Sequence, residues 1–185
     1  MNSLHVKASV ACYFRYTRQN VMISFERPLN QHAGTPDVLT VDKNRNLIEI
    51  EVKVSVADMK NDAKKRVWKM RQKLPDLYPM PYQFYYAVPH KLKDKAMKLL
   101  DEWKAQGKMC GSAGLLIVHD SPPNRLGFKD VSVERRAPLN KKAKKLSLKE
   151  IVKMVKDQTG TLCSAMVAMA RNQLADKDMA IEYYI

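Results

Sequence analysis

The residues of this chain best placed to do chemistry are Asp37, Glu49, Glu51 and Lys53, all within the stretch "TPDVLTVDKNRNLIEIEVKVS" at 35–55. Charges do not belong in an apolar run unless they are paired, metal-bound or catalytic. Side chains alternate along a strand, so Ile48, Ile50, Val52 and Val54 point into a core while Leu47, Glu49, Glu51, Lys53 and Ser55 point to a second face. A hairpin turn centred on Asn44 puts Asp37 directly opposite Glu51, and such cross-strand partners lie about 5 Å apart. Two carboxylates that close repel one another unless something positive sits between them. A divalent cation bridging both, with Lys53 two residues on, resolves the conflict, and oxygen ligands of this kind suit Mg²⁺ or Mn²⁺. The same alternation also suits a solvated outer face, and the local pattern leaves both readings open. In favour of a covered cleft, the helix that follows must pack on the sheet, and a strongly basic chain gathers three acids here.

Alternating elements must position these groups. Leu4, Ala8, Ala11 and Phe14 repeat at helical spacing, which predicts an amphipathic helix over 3–17. "NVMISFE" reads as a strand with Val21, Ile23 and Phe25 on one face. "PDVLTVD" and "LIEIEVKVS" are two more strands, with turn chemistry in "KNRN" between them. Ser55 and Asp58 form a capping box that opens a helix with Val56, Met59, Ala63, Val67, Met70 and Leu74 on one face. "YQFYYAV" is a fourth strand, Leu92, Ala96, Leu99 and Trp103 mark a helix stopped by Gly107, "GLLIVHD" is a buried strand and "KDVSVER" an edge strand. The basic stretch "NKKAKK" then leads to a capped helix at Ser147–Glu150 and a final helix through about residue 175. This order predicts an α/β sandwich on a mixed sheet.

Composition narrows the function classes. A chain of 185 residues fits one domain with a real core, and 33 Lys+Arg against 19 Asp+Glu give a formal charge of +14. Such a field attracts polyanions, nucleic acid first, with anionic membrane surface or acidic proteins as alternatives. Three scattered cysteines, Cys12, Cys110 and Cys163, predict reduced thiols in a cytoplasmic, reducing setting rather than a disulfide scaffold or zinc ribbon. Four scattered histidines form no metal-ligand pattern, and no apolar run approaches the roughly 20 residues of a membrane span. The acid-free first 25 residues, with Lys7, Arg15 and Arg18, share a feature with transit peptides but read well as a folded helix. Gly-rich phosphate loops and Ser-His-Asp arrangements are absent from the sequence.

Pro36-Asp37 followed by Glu51-Val52-Lys53 resembles the signature of the PD-(D/E)xK nuclease superfamily, and the αβββαβ order around it matches that superfamily's core. From Glu26 to about Ala137 the chain is similar to the MmcB-type DNA-repair nuclease group, in the pieces "PDVLTV", "IEVKVSVADMKNDAKK", "FYYAVP" and "GLLIV". Ser55, Asp58 and Asp62 match a stretch that follows the lysine in that group. The resemblance implies a restriction-endonuclease-like core over 1–137, with 138–185 a basic linker and C-terminal helical extension packed on the same domain. It also implies a metal-dependent DNA endonuclease acting in repair, recombination or phage and mobile-element processing. Asp37 and Glu51 would hold Mg²⁺ or Mn²⁺ with the Val52 backbone carbonyl as a further ligand. Lys53 would orient the attacking water or stabilise charge on the phosphoryl oxygens. Glu49 would be an outer-shell group or a solvated strand residue. The first helix lacks the acid some relatives place there, so Glu26 is the upstream candidate for completing the metal shell.

For DNA contact, Lys60, Lys64 and Arg71 recur at helical spacing beside Trp68, with Lys65, Lys69 and Lys73 as a neighbouring stripe. "KKAKK" at 141–145 is a second candidate. Taken singly, a lysine here reads as solvated surface and Trp68 as a packing residue. The expected partner is DNA, with no membrane, and a homodimer is left open. A non-catalytic DNA-binding protein of the same fold, or a basic protein-interaction module, are the competing readings.

Overall fold

The computed structural model describes residues 1–26, 35–122 and 128–159. The chain divides into two compact units, Met1–Leu146 and Ser147–Ile185. The first carries a six-stranded sheet in the order β1-β2-β3-β4-β5-β6, with β1 at Met22–Phe25, β2 at Val38–Val41, β3 at Leu47–Val52, β4 at Gln83–Pro89, β5 at Gly114–Val118 and β6 at Val131–Arg135. The first three strands form an antiparallel meander, β3, β4 and β5 run parallel, and β6 returns antiparallel to close the edge that "KDVSVER" predicts.

One sheet face packs on helix α1, Ser3–Cys12, and the π-helical turn Tyr13–Thr17 that extends it. Val6, Val10 and Phe14 meet Ile48, Ile50, Val52, Tyr85, Ala87 and Leu116 there. The expected stripe is kept in part: Ala11 and Phe14 are buried, but Leu4 is 72% exposed and Ala8 only partly buried, and Val6 and Val10, one turn apart, fill the remaining places on the sheet. The opposite face packs on α2 (Val56–Asp62), α3 (Arg66–Lys73) and α4 (Lys93–Ala105) through Met59, Trp68, Phe84, Tyr86, Leu99, Leu100 and Trp103. Gly107 follows α4 at φ +67°, the left-handed stop its position predicts.

Two further expectations are corrected. The single helix from 56 to 74 is two short ones, because the chain turns out of helical geometry at Lys65, whose ψ is 137°; Leu74 is exposed. In β1 the buried residues are Met22 and Ser24, while Val21 and Phe25 are exposed. Pairing decides this: Met22 lies beside Val41 and Ser24 beside Leu39, both fully buried.

The basic stretch through Leu146 belongs to the first unit. Asn140 donates from its backbone to Tyr82 O at 2.9 Å and from its amide to Met80 O at 3.2 Å, and Leu146 N–H donates to Arg45 O at 3.0 Å. In the second unit, helix α5 at 148–159 opens on a full capping box: Glu150 N–H donates to Ser147 Oγ at 3.2 Å, and Ser147 N–H to Glu150 Oε2 at 2.7 Å. The expected helix toward residue 175 lies outside the described residues, as does Cys163. Among the described residues, no helix is long and apolar enough to cross a membrane.

Candidate active site

The β2–β3 hairpin has the register that the turn chemistry predicts. Asp42 caps the turn by accepting the Asn44 and Asn46 N–H groups, each at 2.8 Å, and Arg45 takes φ +65°. Val38 then pairs with Ile50 and Leu39 with Glu49, so continuing the ladder by one residue sets Asp37 across from Glu51. Asp37 is pinned there by a hydrogen bond from Val52 N–H to its Oδ2 at 2.8 Å. On a strand the N–H and C=O of one residue point the same way, so the Val52 carbonyl also faces the β2 side.

The charged face of β3 is covered. Glu49, Glu51 and Lys53 are 7%, 7% and 4% exposed, which excludes the solvated-face reading. Parallel pairing puts Glu49 beside Phe84 and Glu51 beside Tyr86, both in the core beneath α2–α4. Lys53 Nζ lies 3.0 Å from Glu51 Oε2 and 2.9 Å from Asp62 Oδ1, and Lys65 Nζ lies 3.2 Å and 2.6 Å from the same two oxygens. Tyr86 donates its hydroxyl to Asp62 Oδ2 at 2.7 Å, and the Trp68 indole N–H donates to the Asp62 carbonyl at 3.0 Å. Two carboxylates and two ammoniums thus form one network with a phenol and an indole at its back.

These contacts set the protonation states. Burial pulls the Lys53 ammonium toward neutrality, but Glu51 and Asp62 outweigh it and hold its pKa well above the usual lysine range. Burial pushes Asp62 up, and Lys65, Lys53 and Tyr86 more than reverse that, leaving it below the usual carboxylate range. Glu51 is raised, by burial first and by the neighbouring Asp62 and Asp37 charges, against the pull of the two lysines. Burial drives the Cys110 thiol up to about 11, so it is no nucleophile at neutral pH.

A second cluster faces Asp37 from α1. Lys7 Nζ lies 2.8 Å from Asp37 Oδ1 and 2.6 Å from Glu26 Oε1. Glu26 therefore does come within one ammonium's reach of Asp37. It sits at φ +47° and donates its N–H to the Asp37 carbonyl at 3.3 Å, a backbone geometry uncommon for a non-glycine residue. Lys7 is the participant that spacing does not show, since it joins Asp37 only through the fold; its one sequence trace is a lone lysine on the first helix.

Three expected roles change. Glu49 is neither solvated nor part of the Asp37–Glu51 pair: its Oε2 accepts from Arg71 Nη2 at 2.7 Å. Arg71 is buried and stacked 5.2 Å from the Trp68 ring centroid, so it does not join an exposed stripe with Lys60 and Lys64. Trp68 is buried edge-on against Phe84 with ring centroids 4.9 Å apart, and its indole offers no stacking surface to a base. Lys60 and Lys64 are exposed, and Lys65 is half exposed. Among the described residues, no three His, Cys, Asp or Glu side chains gather as a ready metal-binding group.

The fold and site define an α/β protein with a six-stranded mixed sheet and a buried ionic cluster at the end of its central hairpin. No family model matches the chain, and neither does any curated protein. Among solved structures it is similar to the SPO1766 protein of unknown function from Silicibacter pomeroyi, at a TM-score of 0.54 and 17% identity over 91% of each chain. That likeness shows the fold alone.

Proposed function

We propose that the protein is a Mg²⁺- or Mn²⁺-dependent deoxyribonuclease with a restriction-endonuclease-like core, serving repair, recombination or mobile-element processing. The observation that carries this reading is the hydrogen bond from Val52 N–H to Asp37, which locks Asp37 across the hairpin from Glu51 with Lys53 two residues on. Two carboxylates and the Val52 carbonyl supply the hard oxygens such an ion prefers. The Lys7 ammonium already holds a positive charge against Asp37 Oδ1 and would yield that place. When bound, the ion supplies Lewis-acid polarisation of the phosphate and a water of lowered pKa. Lys53 stays cationic at neutral pH because its pKa is raised, so it serves as an electrostatic stabiliser of charge on the phosphoryl oxygens and not as a base. Tyr86 and Asp62 fix Lys53 in place.

A second reading has its own observation: every acid of the cluster has a cationic partner, as Asp37 with Lys7, Glu51 and Asp62 with Lys53 and Lys65, and Glu49 with Arg71. A non-catalytic DNA-binding protein could keep the cluster for structure. Plasmid nicking in Mg²⁺, gel shift in EDTA and melting temperature on Asp37→Asn, Glu51→Gln and Lys53→Ala separate the two. The nuclease predicts that all three lose cleavage while the two neutralised acids bind DNA in EDTA at least as well as wild type. Cleavage by folded Asp37→Asn, or full wild-type activity in excess EDTA, rejects it.

A further inference from the structure

The end of β3 opposite the Asp37–Glu51 pair gathers cations without acids to match them. The β2–β3 turn carries Lys43 and Arg45, and Leu146 N–H donates to Arg45 O at 3.0 Å. From there the stretch 140–146 crosses to the start of β4, where Asn140 N–H donates to Tyr82 O at 2.9 Å. This strap brings Lys141, Lys142 and Lys145 to the hairpin. Beside the turn lies a cavity of about 250 Å³ whose lining includes Arg18, Gln19, Asp42, Lys43 and Asn44.

Charge sets this end apart. Arg18, Lys43, Arg45, Lys141, Lys142 and Lys145 are all exposed, and among the described residues none of them forms an ion pair. Asp42 is the carboxylate of the cavity lining, and the turn uses both its oxygens: Oδ1 accepts from the Asn44 and Asn46 N–H groups and Oδ2 from the Asn46 amide. Toward the other end of β3, Lys7, Lys53, Lys65 and Arg71 are each held by a carboxylate. Like charges fixed on a turn and a strap repel one another, and a polyanion relieves that repulsion. Protein–protein interfaces are depleted in lysine and enriched in aromatics, whereas protein–DNA interfaces are polar and strongly positive. The exposed amides of Gln19 and Asn44 add neutral groups of the kind that bond to phosphate and sugar oxygens.

We infer that the hairpin tip, Arg18 and the 140–146 strap form one docking surface for the sugar–phosphate backbone of duplex DNA, separate from the Asp37–Glu51 pair. From Arg45 to Glu51 the chain spans about 20 Å, or about six base pairs of duplex, so one duplex seated here reaches the pair. That reach rests on the nuclease reading; the surface does not.

The test is fluorescence anisotropy with a labelled duplex in EDTA across a salt series. A tip variant, Arg18→Gln with Lys43→Gln and Arg45→Asn, removes three exposed charges; asparagine suits Arg45 because the position has φ +65°. Its slope of log K against log salt should be shallower by about 2.7, with a melting temperature near wild type. A strap variant, Lys141→Gln with Lys142→Gln and Lys145→Gln, should lose as much. The control of equal charge is Lys91→Gln with Lys95→Gln and Lys98→Gln, exposed lysines at the start of α4 and along it, and should barely change the slope. Equal losses in all three variants assign the effect to net charge and overturn the surface, as does a tip or strap variant that binds like wild type. Unlabelled duplex, poly-glutamate and phosphatidylserine–phosphatidylcholine vesicles then compete at equal charge concentration. Duplex should displace the label far better than the other two, and equal displacement by either overturns DNA as the partner. Because every binding step is run without metal, a protein that binds DNA here but never cuts refutes the nuclease alone. Cleavage by a protein whose DNA affinity ignores both variants refutes the surface alone.

Discussion

At the scale of single residues, the site is a problem of charge in a covered place. Asp62 has a side chain 1% exposed and two ammoniums within 3 Å of one oxygen. Removing one partner of a buried ion network costs on the order of 3 kcal/mol, because the other charges stay buried. Asp62→Asn should therefore lower the melting temperature clearly at neutral pH. Its pH dependence follows from the lowered native pKa. The contribution is complete above the unfolded aspartate value of about 3.9 and disappears as pH falls through the lower native value. The gap between wild type and Asp62→Asn should be constant from neutral pH down to about pH 4 and close below it; a gap that closes well above that point contradicts the assigned pairing. Glu51 shifts in the opposite sense. Its raised pKa, from burial first, means that its carboxylate takes up a proton at a higher pH than Asp62 does, while its charge is also the foremost cause of the raised Lys53 pKa. Glu51→Gln therefore leaves Lys53 and Lys65 short of a partner and should lower the melting temperature at neutral pH; an unchanged melting temperature contradicts the pairing.

At the scale of elements, the break between α2 and α3 turns Trp68 and Arg71 inward, and a close backbone approach fixes α4. A Cβ on Gly111 would stand 2.2 Å from the Lys104 nitrogen and 2.6 Å from the Trp103 carbonyl carbon, both backbone atoms that cannot swing aside. Gly111→Ala should cost at least the roughly 1–3 kcal/mol typical of overpacking, read as a lower denaturation midpoint; an unchanged midpoint rejects that packing. With Trp68 and Trp103 both buried, tryptophan emission should be blue-shifted, resist acrylamide and stay unchanged on DNA addition, whereas quenching by DNA would restore Trp68 as a stacking platform. Elements of this kind were legible where short-range rules act: the Asp42-capped turn fixed the hairpin register and so the Asp37–Glu51 relation. Burial of the charged face was only half legible, since alternation gives the face and not what covers it. The α2–α3 break was hidden because apolar spacing runs unbroken through it. The buried side of β1 depends on its pairing with Leu39 and Val41, and Lys7 reaches Asp37 from 30 residues away; neither is a local signal.

At the scale of the whole molecule, the charge can be apportioned. Glu49, Glu51 and Asp62 are matched by Lys53, Lys65 and Arg71 within one cluster, so the cluster is neutral and the formal +14 is carried elsewhere. Exposed lysines are then the groups that meet a polyanion, and with Arg71 and Trp68 turned inward, Lys60 and Lys64 on and just after α2 are those nearest in sequence to the site. If phosphate contacts dominate duplex binding, log K should fall linearly with log salt at about 0.9 per contact. Replacing Lys60 and Lys64 together by alanine should make that slope shallower by nearly 2 while leaving the melting temperature near wild type, because neither side chain is buried. Replacing Lys141, Lys142, Lys144 and Lys145 is the matched comparison at the other basic stretch. A slope that changes only in the second variant moves the DNA footprint to residues 141–145, and a slope that changes in neither removes both stretches from it. The two variants also separate attraction from chemistry: losing surface lysines should weaken binding at every salt concentration yet leave the cleavage rate of saturated enzyme intact, since neither lysine touches the Asp37–Glu51 pair.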